Sequence, residues 1–212
     1  MKGPLQNWKS MRSQPVSILG NGVSGKGVLN LLETLKWEGR IYDEKAELFD
    51  EKAAGESSVV VISPGFQRSH PWIELAFASH NIVLNELDFA SCFVSSPIVS
   101  ITGTNGKTSL TSLLAHLWKK MQRPCLAAGN IGRSLSQVIA EGIEQDSVVF
   151  LETSSFQSQM LRYMEPDSAL WTNFTEDHLD HHNSQKEYFL AKANLLKRCS
   201  GYSWIGESVR AG

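Results

Sequence analysis

The 212-residue sequence has few cysteines, no long apolar run and almost no charge imbalance. Cys92, Cys125 and Cys199 are odd in number, scattered and without C-x-x-C spacing. They read as reduced thiols in a reducing compartment, so a cytoplasmic location is expected. No stretch approaches the ~20 apolar residues that span a bilayer, which argues against a membrane partner. The N-terminal MKGPLQNWKSMRSQP is polar and lacks the apolar centre of a signal peptide. Lys and Arg number 20 against 22 Asp and Glu, a net charge of −2, so nothing favours nucleic acid or an anionic surface. No segment repeats at a fixed period or is of low complexity.

What is present is an ordinary globular composition, 42% hydrophobic and 20% charged. β-rich runs at residues 16–20, 40–42, 58–62, 82–84, 98–102, 124–127, 148–151, 169–172 and 202–205 alternate with helical periods. That alternation predicts α/β architecture with parallel sheets. Ser95-Ser96-Pro97 separates a helical 86–93 from a new strand, which predicts two domains, 1–95 and 96–212. The clearest helix follows Gly106, with Leu110, Leu113, Leu114, Leu117, Trp118 and Met121 as its core-facing stripe. The second domain has no obvious helix after residues 202–205 and reads as incomplete.

Residues 101–109, ITGTNGKTS, lie between a strand and that helix, the context a phosphate-binding loop requires. The usual pattern G-x-x-x-x-G-K-[ST] has its first glycine where Ile101 stands. Gly103 and Gly106 still let successive N–H groups of Thr104, Asn105 and the helix start at Lys107, Thr108 and Ser109 turn inward. Lys107 would reach the phosphates of ATP and the Thr108 hydroxyl would ligate Mg²⁺. Glu152 sits at the C-terminal tip of a buried strand, either as a ligand for the same Mg²⁺ or as a solvated strand end.

Residues 172–182, TNFTEDHLDHH, hold six groups able to ligate a metal, of which His178 is the best candidate. Asp177 and Asp180 are expected to orient or cap. His181 and His182 are expected in a solvated turn before a helix opened by the capping box Ser184/Glu187. Tyr188, Lys192, Leu195 and Leu196 share one face of that helix. Lys192 either snorkels to water, the ordinary expectation from composition, or is desolvated with a lowered pKa. A neutral amine there could take up CO₂ as a carbamate.

The first domain carries Gly20-Asn21-Gly22-Val23-Ser24-Gly25, a G-x-G-x-x-G between strand and helix, with Asp43 at the next strand end. Taken alone, these residues indicate an NAD(P)-binding oxidoreductase. A metal-dependent phosphoesterase built on D-H-x-D-H-H explains neither glycine loop. A non-catalytic nucleotide-binding module remains a further alternative.

TGTNGKTS, GNIG at 129–132, LETSSFQ at 151–157, NFTEDHLDHH at 173–182 and AKANLL at 191–196 together resemble the Mur ligases, the ATP-dependent amide-bond synthetases of peptidoglycan assembly. The S-S-F-Q form is similar to the members that add D-glutamate. The resemblance implies a Rossmann-like UDP-binding domain followed by a P-loop ATPase-type domain. It implies three small-molecule substrates, UDP-N-acetylmuramoyl-L-alanine, D-glutamate and ATP, and a monomer. Lys107 and residues 103–109 would bind ATP, with Thr108 and Glu152 on a first Mg²⁺. His178 and a carbamoylated Lys192 would hold a second, with Lys107, His178 and Lys192 as the catalytic set. The diphosphate would lie on Gly22, Val23 and Ser24, with Asp43, Ser63, Pro64 and Gly65 around the uridine. Asn130, Ser154 and His178 would contact the UDP-sugar. Family members carry a C-terminal ligase domain, so this chain alone is expected not to complete catalysis.

Overall fold

The computed structural model describes residues 5–67, 69–177 and 182–210. The chain divides into two compact units. The first comprises the chain up to Val94 together with Arg133–Gly142 and Arg162–Met164. The second takes Ser95–Gly132, Ile143–Leu161 and the chain from Glu165 onward.

The first unit runs α1 (Trp8–Met11), β1 (Val16–Leu19), α2 (Val23–Thr34), β2 (Gly39–Tyr42), α3 (Glu51–Glu56), β3 (Val59–Ile62), α4 (Pro71–Ala78), β4 (Ile82–Asn85) and α5 (Glu86–Ser91). Its four strands are all parallel, in the order β2-β1-β3-β4. β1 and β3 are buried along their whole length, as strands covered on both faces must be. Val16, Ile18, Val59, Val61 and Leu84 join Val28, Leu31 and Leu32 of α2 in the core.

The second unit runs β5 (Ile98–Thr102), α6 (Lys107–Lys120) and β6 (Cys125–Gly129). The chain then supplies α7 (Leu135–Glu141) to the first unit. It returns with β7 (Val148–Glu152), α8 (Ser155–Gln159), β8 (Ser168–Trp171), α9 (Gln185–Lys197), β9 (Tyr202–Ile205) and the single turn α10 (Glu207–Arg210). All strands are parallel, in the order β6-β7-β5-β8-β9. Leu170 packs with Leu110, Leu114 and Trp118 of α6, whereas the next residue, Trp171, packs with Phe189 of α9. Neighbouring residues of a strand face opposite ways, so α6 and α9 cover opposite faces of the sheet. The chain therefore leaves β5 and β8 toward opposite faces, which opens a crevice at their C-terminal ends.

Two packing expectations change. In α6 the buried positions are Thr111 and Ala115, while Leu113, Leu117 and Met121 are about half exposed. The small Thr111 and Ala115 let the helix lie close to the sheet, which turns half of the leucine stripe outward. The short helix α10 follows β9, where no helix was legible.

α7 docks in the first unit through a buried carboxylate. Glu86, 1% exposed, accepts the Ser136 N–H at 2.7 Å, and its other oxygen has no partner among the described residues. Burial pushes the Glu86 carboxyl up from its ordinary value, with the Ser136 N–H pulling the other way. A raised folded pKa means that the stabilising protonated form is complete below about 4.3, the free-carboxyl value, and is lost as pH rises through the folded value. Glu86→Gln keeps the acceptor and cannot ionise. A buried carboxylate with one unpartnered oxygen costs more than a neutral amide in the same place, so the variant should unfold at a higher urea concentration than the parent at pH 8. At pH 4 the difference should vanish, and equal midpoints at both pH values would refute the assignment.

Candidate functional site

At the end of β5 the backbone turns through Gly103 at φ 150° and Gly106 at φ 80°, conformations that only glycine adopts without strain. Gly106 caps α6, and the first helical bond is Leu110 N–H to Gly106 O at 2.9 Å. The N–H groups of Gly106, Lys107, Thr108 and Ser109 precede it and have no acceptor within the helix. They form the positive end of its dipole. Lys107 Nζ folds back to donate to the carbonyls of Gly103 and Thr104, at 3.0 and 2.9 Å. Thr104 and Asn105 behave differently from the helix start. Their N–H groups are taken by Asn173, through its carbonyl at 3.1 Å and its Oδ1 at 2.9 Å.

Glu152 ends β7 and is 2% exposed, which overturns the solvated strand-end alternative. Thr108 Oγ1 donates to Glu152 Oε2 at 2.7 Å, and Asn130 Nδ2 donates to Oε1 at 3.1 Å. Asn130 N–H also donates to the Glu152 carbonyl at 2.9 Å. Register explains this meeting, because β6 pairs Gly129 with Glu152 and leaves Asn130 just beyond the tip. The Thr108 hydroxyl and Glu152 carboxylate are hard oxygen donors in contact, a set suited to Mg²⁺ with phosphate and water completing the shell.

Lys192 does not snorkel. It is 1% exposed, its Nζ donates to the Gly103 carbonyl at 2.7 Å and lies 4.6 Å from the centre of the Tyr188 ring. Its pKa is lowered to about 7, by burial first and by the Lys107 ammonium second, with Asp177 opposing both. Two lysines thus converge on one glycine carbonyl from different elements.

His178, Asp180 and His181 lie outside the described residues. His182 is buried at 1% exposure, contrary to the solvated turn expected of it. Its Nε2 meets Ser155 Oγ at 3.1 Å and its ring stacks on Phe156 at 5.4 Å, so the S-S-F-Q turn and the start of α9 share one core. Ser154 caps α8 in a full capping box with Gln157. The Ser184 box is only half made. Ser184 accepts Glu187 N–H, but the Glu187 carboxylate binds Asn183 instead. Among the described residues, no three His, Cys, Asp or Glu gather as a metal cluster.

In the first unit, Gly20 turns at φ 102°, and a Cβ on Gly25 would lie 1.9 Å from the Gly20 carbonyl. Gly22 caps α2, followed by Val23 and Ser24. Asp43 accepts the Asn21 N–H at 3.0 Å and the Lys45 N–H at 3.1 Å. These bonds, Asn21 first, hold its carboxyl below the ordinary range. Ser63 Oγ approaches the Gly20 carbonyl at 3.4 Å, which places Ser63-Pro64-Gly65 beside the glycine turn.

Residues 101–206 match the sequence model of the Mur ligase middle domain. The chain is 36% identical over 182 residues to the UDP-N-acetylmuramoylalanine--D-glutamate ligase of Aquifex aeolicus (strain VF5), covering 85% of this chain and 43% of that protein. It is 33% identical over 207 residues to the enzyme of that name from Thermoanaerobacter pseudethanolicus (strain ATCC 33223 / 39E), covering 88% of this chain and 45% of that one. The chain thus spans less than half the length of these relatives. Among solved structures it resembles the UDP-N-acetylmuramate:L-alanyl-gamma-D-glutamyl-meso-diaminopimelate ligase from Neisseria meningitides. The TM-score is 0.62 at 16% identity, over 93% of this chain and 74% of that one, a likeness of fold.

Proposed function

The chain belongs to the Mur ligase family, and from that premise we propose that it forms the nucleotide-binding part of a ligase joining D-glutamate to UDP-N-acetylmuramoyl-L-alanine at the expense of ATP. The observation that carries this reading is the contact of Thr108 with Glu152 at the start of a helix whose glycine loop also holds the Lys107 ammonium. In the reaction, the substrate carboxylate attacks the γ-phosphorus, the bond to ADP breaks and an acyl phosphate forms. The amino group of D-glutamate then attacks the acyl carbon, phosphate leaves and the amine gives up a proton.

The chief obstacle is repulsion between a carboxylate and a triphosphate. The Lys107 ammonium and the N–H groups of residues 106–109 offset it by receiving the phosphate oxygens. Thr108 and Glu152 would hold a Mg²⁺ whose role is to neutralise those oxygens. Lys192, with its pKa near 7, has the free amine that adds to CO₂, forming an N–C bond and releasing a proton. The carbamate, with His178, would supply a second anionic metal site. Gly22, Val23 and Ser24 receive the diphosphate, Asp43 and Ser63 to Gly65 surround the uridine, and Asn130 and Ser154 contact the substrate. A monomer acting in the cytoplasm fits this reading. Among the described residues, no helix is long and apolar enough to cross a membrane.

The order β2-β1-β3-β4 differs from the β3-β2-β1-β4 order of dinucleotide folds, and Asp43 is engaged with the glycine turn itself. Both favour a nucleotide diphosphate other than NAD(P). Calorimetric titration of the chain with UDP-N-acetylmuramoyl-L-alanine, Mg-ATP and NADH separates the readings. Saturable binding of the first two is expected, and NADH binding without UDP-sugar binding would overturn the proposal. Amide formation from D-glutamate is to be assayed with the longer protein that carries this chain.

A further inference from the structure

The residues after β8 hold the phosphate loop by a two-sided clamp that the ligase chemistry described above does not use. Asn173 receives the Thr104 N–H on its carbonyl and the Asn105 N–H on Oδ1, and returns Nδ2 to the Asn105 carbonyl at 3.0 Å. Thr172 N–H binds the Thr102 carbonyl at 3.0 Å, and its hydroxyl donates to the Asn105 carbonyl at 2.7 Å. Thr104 Oγ1 donates to the Thr175 carbonyl at 3.2 Å and accepts the Thr175 N–H at 3.1 Å. The Tyr188 hydroxyl meets the same oxygen at 3.2 Å. Gly103 is packed so closely that a Cβ there would lie 1.9 Å from Thr172 Oγ1.

We propose that Asn173 is a positioning residue for nucleotide binding, acting through the loop rather than on the phosphates. With Thr172 it fixes residues 103–105 in one conformation before nucleotide arrives. Two of the loop N–H donors are consumed in that clamp, so the phosphates meet only those of residues 106–109 and the Lys107 ammonium. The clamp takes the place of a longer glycine cradle. Where such a cradle wraps the phosphate with its own amides, this loop is held from behind by the neighbouring strand, which lowers the ordering required on binding. The inference rests on the reading of residues 103–109 as an ATP site.

The test is fluorescence titration of the chain with a Mg-bound N-methylanthraniloyl ADP, on the parent, Asn173→Ala and Thr172→Val. Hydrogen exchange of the Thr104 and Asn105 amides is followed by NMR in the nucleotide-free state. Asn173→Ala is expected to weaken ADP about tenfold, the ~1.4 kcal/mol of one well-made hydrogen bond, and to expose the Asn105 amide to exchange, while the Thr104 amide keeps the main-chain carbonyl of residue 173 as its acceptor. Affinity for UDP, read on the same samples, should stay unchanged. Thr172→Val removes one clamp bond with little change of shape and should give a smaller loss in the same direction. Unchanged ADP affinity in both variants overturns the positioning role. So does a parallel loss of ADP and UDP affinity, which marks general unfolding. Absence of ADP binding by the parent overturns the ATP-site reading itself, and with it the clamp's function.

Discussion

Between pH 7 and pH 9 the stability of the protein relative to its Lys192→Met variant is expected to rise by about 2 kcal/mol. Lys192 is 1% exposed, and its pKa is lowered to about 7 by burial first and by Lys107 second. An unfolded lysine titrates near 10.4. Between these values the unfolded chain binds a proton that the folded chain does not, so stability climbs with pH throughout the window. Below pH 7 both states are protonated, and the full penalty of burying the ammonium is in place. The Gly103 carbonyl and the Tyr188 ring offset part of that penalty, as each interacts with the charged form. Methionine matches the length of the side chain without its charge, so Lys192→Met loses this pH dependence while other groups titrate as before. Urea unfolding of both proteins at pH 7, 8 and 9 gives the double difference. Parallel pH profiles would mean that Lys192 is solvated after all. A functional consequence follows from the same burial: the variant can form no carbamate, and a ¹³C-bicarbonate-derived resonance seen in the parent should be absent from it.

The fold was legible where the rule is local. Parallel strands buried on both faces read as short apolar runs, and each predicted run coincides with a strand in the structure. The phosphate loop was legible because glycine, lysine and threonine at fixed spacing mark a strand-to-helix turn. What was not legible depends on contacts far apart in sequence. Nothing around residues 133–142 or 162–164 says that they fold with the first unit; the tie is made by Glu86 to Ser136 and by Asp88 to the N–H groups of Arg162, Tyr163 and Met164. The apolar period of α6 marked a single stripe through Leu110, Leu113, Leu114, Leu117, Trp118 and Met121. The small residues Thr111 and Ala115 lie against the sheet instead, which leaves Leu113, Leu117 and Met121 about half exposed. His182 looked solvated beside a helix cap, yet Phe156 and Ser155 arrive from α8 to bury it. Asn173 carried one available signal, a side-chain amide immediately past the tip of a strand. Its use appears only once β8 pairs with β5.

Lys107→Ala and Glu152→Gln are expected to damage the same site in opposite electrostatic senses. Among the described residues, the hydrogen-bond partners of Lys107 Nζ are loop carbonyls, at 3.0 and 2.9 Å, so it is available to exchange them for phosphate oxygens. Removing it deletes a charge-assisted bond and the main local cation, and should weaken ATP by about 100-fold, near 3 kcal/mol, with or without Mg²⁺. Glu152→Gln keeps the shape, and its amide oxygen still accepts the Thr108 hydroxyl. It removes the only negative charge touching Thr108 Oγ1 among the described residues. Affinity for Mg-ATP should therefore fall about tenfold, as one anionic ligand is lost from the metal. Affinity for ATP in EDTA should hold or rise, because a carboxylate no longer repels the phosphates. Isothermal titration of both variants with and without Mg²⁺ reads all four values. If Glu152→Gln weakens metal-free ATP as much as Mg-ATP, Glu152 holds the loop rather than the metal. If Lys107→Ala leaves ATP affinity intact, the glycine turn is a structural corner and the nucleotide site must be sought elsewhere.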